Sequence, residues 1–283
     1  MKIINIQELG DLMKECIDLH IHTDISDGFL KPNEIVNLMK ENDIKIASIT
    51  DHDSVDGYLQ VKDIIDGSFR LIPGIEISTL WENDLELHIL GYGIDVKNKD
   101  FRQYLNIVKE KKIQGVCSIY KKLQILNIPL EIQEISKNMS YDNMEALIKH
   151  KYPNSNQTFY NFYYENYYCF HIKPFISTYE ALNIIRNASG YPIIAHLGRA
   201  DKTEIEKIKI LELLIAAGIK GIECYHPSHS EQFKNILIDI AQTNKLFITQ
   251  GSDFHGRKNE YTQIAQNLSE DINKNSLCIC NYI

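Results

Sequence analysis

Histidine and aspartate side chains cluster in the stretch Asp18–Gly28, which reads Asp-Leu-His-Ile-His-Thr-Asp-Ile-Ser-Asp-Gly. His20 and His22 alternate with apolar residues, so on a β-strand both imidazoles project to the same face. Asp27 follows in a polar segment typical of a turn, which can fold a carboxylate back toward that face. Imidazole and carboxylate groups are ligands for divalent metal ions. The stretch therefore indicates a metal site, although two half-exposed strand histidines would give the same pattern.

The same arrangement, a short apolar strand with His, Asp or Glu at or near its end, recurs along the chain. The residues at these positions are His52, Glu76, His88, His196, Asp253 and His255. Tyr225-His226-Pro227-Ser228-His229 adds two histidines after another apolar segment. Eight of the ten histidines are placed in this way. Because random placement would not concentrate them so, the pattern favours one shared site.

Together these motifs resemble the polymerase and histidinol phosphatase (PHP) family of metal-dependent phosphoesterases. The matching motifs are, in chain order, Asp-Leu-His-Ile-His-Thr, Thr-Asp-His-Asp, Pro-Gly-Ile-Glu, His-Ile-Leu-Gly-Tyr, Ala-His and Gly-Ser-Asp-Phe-His-Gly. They extend from Asp18 to Gly256, which is nearly the whole chain. Any one motif would be weak alone, but their number and order make the resemblance specific.

The resemblance implies three divalent metal ions, of Mn, Fe or Zn, a choice that mixed imidazole and carboxylate ligands support over Ca or Mg. The implied ligands are His20, His22, Glu76 and Asp253 for the first metal, Glu76 with His88 and His196 for the second, and Asp27, His52 and His255 for the third. Asp51 and Asp53 are expected to orient His52 and neighbouring groups rather than to bind metal.

The chemistry that follows is hydrolysis of a phosphate ester through a metal-bound hydroxide, with in-line attack on phosphorus. Arg199 is a candidate to fork onto a phosphate. His226 and His229 are candidates to contact phosphate or to protonate the leaving oxygen. Arg199 as a surface residue and His226 as a structural residue are the competing interpretations.

Strands and helices that could position these side chains alternate along the chain. Beyond the strand at Asp18, strands are predicted at Lys45–Thr50, Arg70–Ile77, Leu85–Gly93, Pro192–His196, Ile219–Tyr225 and Lys245–Gln250. Helices are predicted at Lys31–Asn42, Asp56–Asp66, Ser177–Ser189, Thr203–Ala217 and Ser230–Thr243. Ligands at the C-terminal ends of strands are typical of β/α barrels. The resemblance implies an α/β fold, a distorted seven-stranded (β/α)7 barrel, and the strand count agrees.

The alternation breaks at residues 100–171, where we expect a small helical domain inserted between barrel segments 1–99 and 172–283. A Lys-rich amphipathic helix opens this segment, and a second helix is predicted at Tyr141–His150. The aromatic tract Phe159–Phe170 favours a small packed core, with base stacking as the alternative.

The substrate is less specified than the metal site. Asn138–Met144 stands where nucleotide-acting relatives usually show an Arg and a His. The inserted segment nevertheless resembles the branch acting on small nucleotides, such as a nucleoside 3′,5′-bisphosphate, or on the ends of short single-stranded RNA. The alternative is a histidinol-phosphate phosphatase or another small phosphomonoesterase. A non-enzymatic interaction module is disfavoured because all nine implied ligands are present.

Composition limits the partners. Hydrophobic and charged fractions of 44% and 24% are those of an ordinary globular protein. No apolar run approaches the roughly 20 residues of a membrane helix, and the N-terminus lacks signal-peptide features, so we expect a cytoplasmic protein without membrane partners. A net charge of −8 argues against binding duplex nucleic acid.

Cys278 and Cys280 are more typical of a terminal strand than of a zinc site. The oligomeric state is left open.

Overall fold

The computed structural model describes residues 16–65, 67–82, 85–125, 176–257 and 277–283, together with residues 127, 128, 130, 131, 133, 150, 151, 174, 264 and 272. The chain divides into two compact units, one formed by Met1–Asn98 with Ile176–Ile283 and the other by Lys99–Phe175. Within the described part, no helix is both long and apolar enough to cross a membrane.

The first unit is built on a seven-stranded mixed sheet whose strands lie side by side in chain order. The strands are β1 Cys16–Ile21, β2 Ile44–Ile49, β3 Arg70–Leu80, β4 Glu86–Tyr92, β5 Tyr191–Ile194, β6 Gly221–Tyr225 and β7 Phe247–Gln250. The β4 strand is antiparallel to β3 and to β5, and the other neighbouring pairs are parallel. The predicted α/β fold and its seven strands are confirmed.

The first strand of the sheet meets the segment that follows the last strand. The backbone N–H of Asp253 donates to the carbonyl of His20 at 2.9 Å, and the N–H of His22 donates to the carbonyl of Phe254 at 2.9 Å. Ile21 and Phe254 form a parallel bridge. The sheet therefore curls until its two ends share hydrogen bonds, which brings residues from the first and last strands together.

The β4 strand runs opposite to β3, in agreement with the two successive strands, without a helix between them, that the sequence predicts here. Leu80 and Glu86 are joined by a short turn, and so short a connection can link only antiparallel strands. Because β4 is reversed, His88 near its beginning reaches the edge of the sheet at which the parallel strands end. Glu76 lies inside β3 rather than at its end, since the hairpin with β4 extends β3 to Leu80.

The helices are α1 Pro32–Glu41, α2 Asp56–Val61, α3 Lys99–Ile125, α4 Thr178–Asn187, α5 Glu204–Ala216 and α6 Glu231–Asn244. The predicted capping box at the start of α4 is confirmed, with the Ser177 hydroxyl accepting from the Glu180 N–H at 3.2 Å. The second helix ends at Val61, earlier than the predicted Asp66.

The second unit contains α3, which agrees with a helix at the start of the inserted segment. The predicted helix Tyr141–His150, apart from His150, and the aromatic tract Phe159–Phe170 lie outside the described residues. The helical nature and the boundaries of the insertion at 100–171 stay a prediction.

One face of α1 anchors the β1 and β2 edge of the sheet. Ile35 and Met39 are fully buried in a cluster with Ile21 and Ile49. Burial of each such side chain stabilises the fold by about 1.5–3 kcal/mol. The strands that carry the first histidines are therefore held by packing from behind.

Candidate metal centre

Glu76 lies at the centre of the predicted ligand cluster. Five imidazole nitrogens surround its two carboxylate oxygens. Around Oε2, the Nε2 atoms of His20 and His22 and Nδ1 of His52 each lie at 3.2 Å. Around Oε1, Nε2 of His196 lies at 2.8 Å and Nδ1 of His88 at 3.0 Å. One carboxylate cannot neutralise five protonated imidazoles. The arrangement therefore favours metal ions that are bound by the carboxylate and by the neutral imidazoles together.

The spacing around Oε2 of Glu76 fits a metal ion. The Oδ1 atom of Asp253 lies 3.4 Å from Nε2 of His20 and 3.1 Å from Nε2 of His22. Ligand atoms about 2.1 Å from one ion are separated by about 3.0 Å at a right angle and about 3.4 Å at the tetrahedral angle. The two Nε2 atoms and Oε2 of Glu76 are buried and have no hydrogen-bond partner among the described residues. These four side chains form a group able to hold one ion.

Two further groups adjoin this one. Asp27, His52 and His255 lie together with His22, and Nε2 of His255 is 3.1 Å from Oδ2 of Asp27. His52 also forms a group with Glu76 and His88. All nine predicted ligands thus lie in one continuous cluster, in which His52 stands between two of the groups.

A basic residue that the sequence analysis missed adjoins the Asp27 group. The guanidinium of Arg257 lies 3.5 Å from Oδ2 of Asp27. Its position two residues after His255 was the available signal. Positive charge beside this group can help to hold an anionic substrate.

The outer nitrogens of several cluster imidazoles face hydrogen-bond acceptors. The three pairs are Nδ1 of His20 with Oε1 of Glu223 at 2.9 Å, Nδ1 of His255 with the carbonyl of Asp253 at 2.8 Å, and Nε2 of His88 with Oε1 of Glu86 at 3.1 Å. An acceptor at the outer nitrogen keeps the proton there and leaves a lone pair on the inner nitrogen. This is the usual environment of metal-binding histidines.

Glu223 is a buried carboxylate that the sequence analysis missed. It lies in β6, and its Oε2 atom accepts the backbone N–H of His196 at 2.7 Å. Burial would raise the pKa of Glu223, but His20 and His226 lower it below its usual value. In the sequence, one charged residue within an apolar strand could have indicated this buried site, since Glu is almost never fully buried unless it is paired.

Burial and the neighbouring charges shift the pKa values of the clustered side chains in opposite directions. Burial would raise the pKa of Glu76, yet His52, His20 and His88 hold it well below its usual range. Burial would lower the pKa of His88, but Glu76 raises it to about 10. At His52 and His196 burial dominates, and the pKa falls to about 3 and about 4. Metal ions would replace protons at such a site, because they need unprotonated imidazoles.

Arg199 and His226 lie beside Asp253, as the sequence predicts for substrate contacts near the metals. The Arg199 guanidinium pairs with Oδ2 of Asp253, and its side chain is 54% exposed. Nε2 of His226 lies 3.5 Å from the same oxygen. Nδ1 of His226 accepts the Ser228 N–H at 3.0 Å, so the proton of the neutral ring is on Nε2. His226 therefore presents a hydrogen-bond donor, its Nε2–H group, to the site.

His229 has a different role. Its Nε2 accepts the N–H of Gly198 at 3.0 Å, and its Nδ1 donates to the carbonyl of Cys224 at 3.0 Å. Burial lowers its pKa, which is consistent with a neutral ring. Both ring nitrogens are thus used by the backbone, and the predicted contact of His229 with substrate has no nitrogen left to make it.

Asp51 holds the loop that leads to Asp27. Its carboxylate accepts the Thr23 N–H at 2.7 Å, the Thr23 hydroxyl at 2.8 Å and the Ser26 hydroxyl at 2.7 Å. Because Ser26 precedes Asp27, Asp51 positions the loop that carries this candidate ligand. This loop is among the neighbouring groups that Asp51 is expected to orient.

Comparison with known proteins agrees with this geometry. Over 252 residues the chain is 29% identical to the 5′-3′ exoribonuclease Rnm of Escherichia coli, covering 84% of each protein. It is 28% identical over 256 residues to the 3′,5′-nucleoside bisphosphate phosphatase of Chromobacterium violaceum, covering 84% of this chain and 87% of the relative.

Solved structures share the fold. An amidohydrolase from Chromobacterium violaceum superposes with a TM-score of 0.74 at 22% identity, over 94% of this chain and 95% of that one. A metal-dependent phosphoesterase from Bifidobacterium adolescentis gives a TM-score of 0.74 at 21% identity, over 95% of this chain and 97% of that one.

Residues 18–279, which contain the whole ligand cluster, match the PHP domain. The chain therefore belongs to the PHP domain family.

Proposed function

We propose that the protein is a metal-dependent phosphoesterase acting on a small nucleotide, such as a nucleoside 3′,5′-bisphosphate, or on the end of a short single-stranded RNA. The observation that carries this proposal is the convergence of buried nitrogens of His20 and His22 on Oε2 of Glu76, at 3.2 Å each. Lone pairs directed at one point, without hydrogen-bond partners among the described residues, are what a metal ion requires.

The residues fit three divalent ions of the Mn, Fe or Zn type. The proposed ligands are His20, His22, Glu76 and Asp253 for one ion, Glu76, His88 and His196 for another, and Asp27, His52 and His255 for the third. Such ions, when bound, lower the pKa of water and neutralise phosphoryl oxygens. The chain contributes the fixed positions of these ligands and the acceptors behind them.

Two side chains are placed to act on the substrate directly. His226 carries a proton on Nε2, which faces the site, and can donate a hydrogen bond to a phosphoryl oxygen or to the leaving oxygen. Arg199 pairs with Asp253, and its half-exposed guanidinium can turn to bind a phosphate in a fork. A substrate phosphate would then replace the Asp253 carboxylate as the partner of Arg199.

The nucleotide substrate is supported by the names of two relatives, an exoribonuclease and a nucleoside bisphosphate phosphatase. A net charge of −8 favours single nucleotides or short single strands over duplexes. The cysteines are scattered along the chain rather than spaced as a disulfide framework, which supports our expectation of a cytoplasmic protein.

The test is metal analysis of protein purified without chelator, followed by assays on a panel of phosphate esters. Activity should vanish on verified metal removal and return with Mn²⁺ or a similar ion. The panel should contain a nucleoside 3′,5′-bisphosphate, the matching monophosphates, a short RNA and histidinol phosphate. Activity that survives metal removal would contradict the mechanism, and a preference for histidinol phosphate would contradict the nucleotide assignment.

A further inference from the structure

We propose that Glu223 is a positioning residue that joins His20 and His196 into one unit and sets which nitrogen of His20 faces the metal. This inference rests on the proposed metal site. It adds a side chain that binds no metal and touches no substrate, yet controls two ligands that belong to different ions.

The two oxygens of Glu223 have different partners. Oε1 accepts from Nδ1 of His20 at 2.9 Å, and Oε2 accepts the backbone N–H of His196 at 2.7 Å. All three residues are buried. From β6, the carboxylate thus reaches β1 on one side and the end of β5 on the other, and both acceptor positions are needed.

The contact with His20 keeps the ring proton of His20 on Nδ1. With its N–H at Nδ1 directed to Glu223, His20 keeps the lone pair of Nε2 toward Glu76 and Asp253. The contact with His196 holds the backbone of His196 in place. His196 has a positive φ of 21°, and the bond to its N–H holds the turn that directs its Nε2 to Oε1 of Glu76.

Gly251 supplies independent support for a built contact. A Cβ at this position would lie 2.1 Å from Cβ of His20 and 2.9 Å from Oε1 of Glu223. Real side chains do not approach so closely, so His20 and Glu223 can meet only because residue 251 has none. The backbone after β7 is thus shaped around this pair.

The experiment is a metal titration of stripped protein, followed by thermal stability, for the wild type and Glu223→Gln. Bound metal raises the melting temperature, and the metal concentration needed for a given rise scales with the dissociation constant, so the titration reports affinity without an activity assay. An amide offers one acceptor where two are needed. We expect Glu223→Gln to require about 10- to 100-fold more metal.

Glu180→Gln is the control. It makes the same change of side chain at the start of α4, where the exposed Glu180 carboxylate accepts from the N–H of Ser177 at 2.7 Å and from its hydroxyl at 2.8 Å. This change removes one negative charge without altering a hydrogen bond of His20 or His196. We expect it to leave the metal requirement nearly unchanged.

Gly251→Ala is the second variant. Its methyl group would overlap Cβ of His20 and approach Oε1 of Glu223, so it should push His20 away from Glu223 and also raise the metal requirement. Wild-type protein that gains no stability from metal would contradict the proposed function itself. If the wild type responds but Glu223→Gln needs no more metal, or Glu180→Gln raises the requirement as much as Glu223→Gln does, the role of Glu223 is overturned.

Discussion

The floor of the site, formed by His20, His22 and Glu76, is built differently from its rim, formed by Arg199 and His226. The floor side chains have no exposed surface and stand on or beside strands β1 and β3. The rim side chains stand on the segments after β5 and β6, and Arg199 is 54% exposed. Strand residues cannot move without breaking ladder hydrogen bonds, whereas loop residues can change partners. The difference supports the proposal that the floor holds metal ions and the rim contacts the substrate.

Two histidines show the difference most clearly. The rings of His20 and His226 are 6.2 Å apart, and both face Asp253. The Nδ1 of His20 meets a carboxylate, whereas Nδ1 of His226 meets the N–H of Ser228. The same side chain therefore offers a lone pair in one place and a proton in the other. The neighbour of the outer nitrogen, not the ring itself, decides the role.

The strongest test of the floor is Glu76→Gln against Asp27→Asn. Removing the carboxylate that five imidazoles share should lower kcat/KM about a thousandfold or more, since metal ions supply several kcal/mol of the barrier reduction. Asp27 adjoins only one of the three ligand groups, so its loss should be smaller. Metal content and steady-state rates measured on both variants check this, and equal losses would show that Glu76 is not shared.

The rim is tested by His226→Ala against His229→Ala. Loss of a hydrogen bond to the leaving oxygen should slow hydrolysis of a nucleotide ester about tenfold, and that of p-nitrophenyl phosphate much less, because nitrophenolate leaves without such help. His229→Ala should instead lower stability and change both substrates alike, since its nitrogens bind backbone groups. The rates with both substrates are the measurement. An equal loss with both substrates for His226→Ala would show that His226 does not contact the leaving oxygen.

The smallest effect is expected for Arg199→Ala. We expect the preference for a 3′,5′-bisphosphate over the monophosphate to fall about tenfold, the low end for a charge-assisted hydrogen bond, because the side chain is half exposed. The ratio of the two kcat/KM values is the measurement. If all substrates lose activity equally, Arg199 supports Asp253 rather than a second phosphate.

Much of the floor was predictable, because its ligands follow short apolar strands that the sequence marks well. The reversed direction of β4 could also have been predicted, since only seven residues, 78–84, separate the predicted strands that end at Ile77 and begin at Leu85, too few for a crossover helix. The role of Glu223 required noticing one charge in an apolar strand. The rim was not predictable in this way. His226 and His229 are three residues apart and of one type, and their different roles come from Ser228, Gly198 and Cys224, which only the folded chain brings to them.

The hydrogen bond from Gly198 to His229 has a mechanical consequence. His229 follows β6 and Gly198 follows β5, and a Cβ on Gly198 would lie 2.4 Å from Cδ2 of His229, so the two loops interlock. Arg199 is the next residue after Gly198, and His226 begins the loop that ends at His229. A displacement of either loop is therefore passed to the other. The backbone positions of Arg199 and His226 are therefore coupled, and the reach of the two side chains from these positions limits the length of a substrate that could contact both at once.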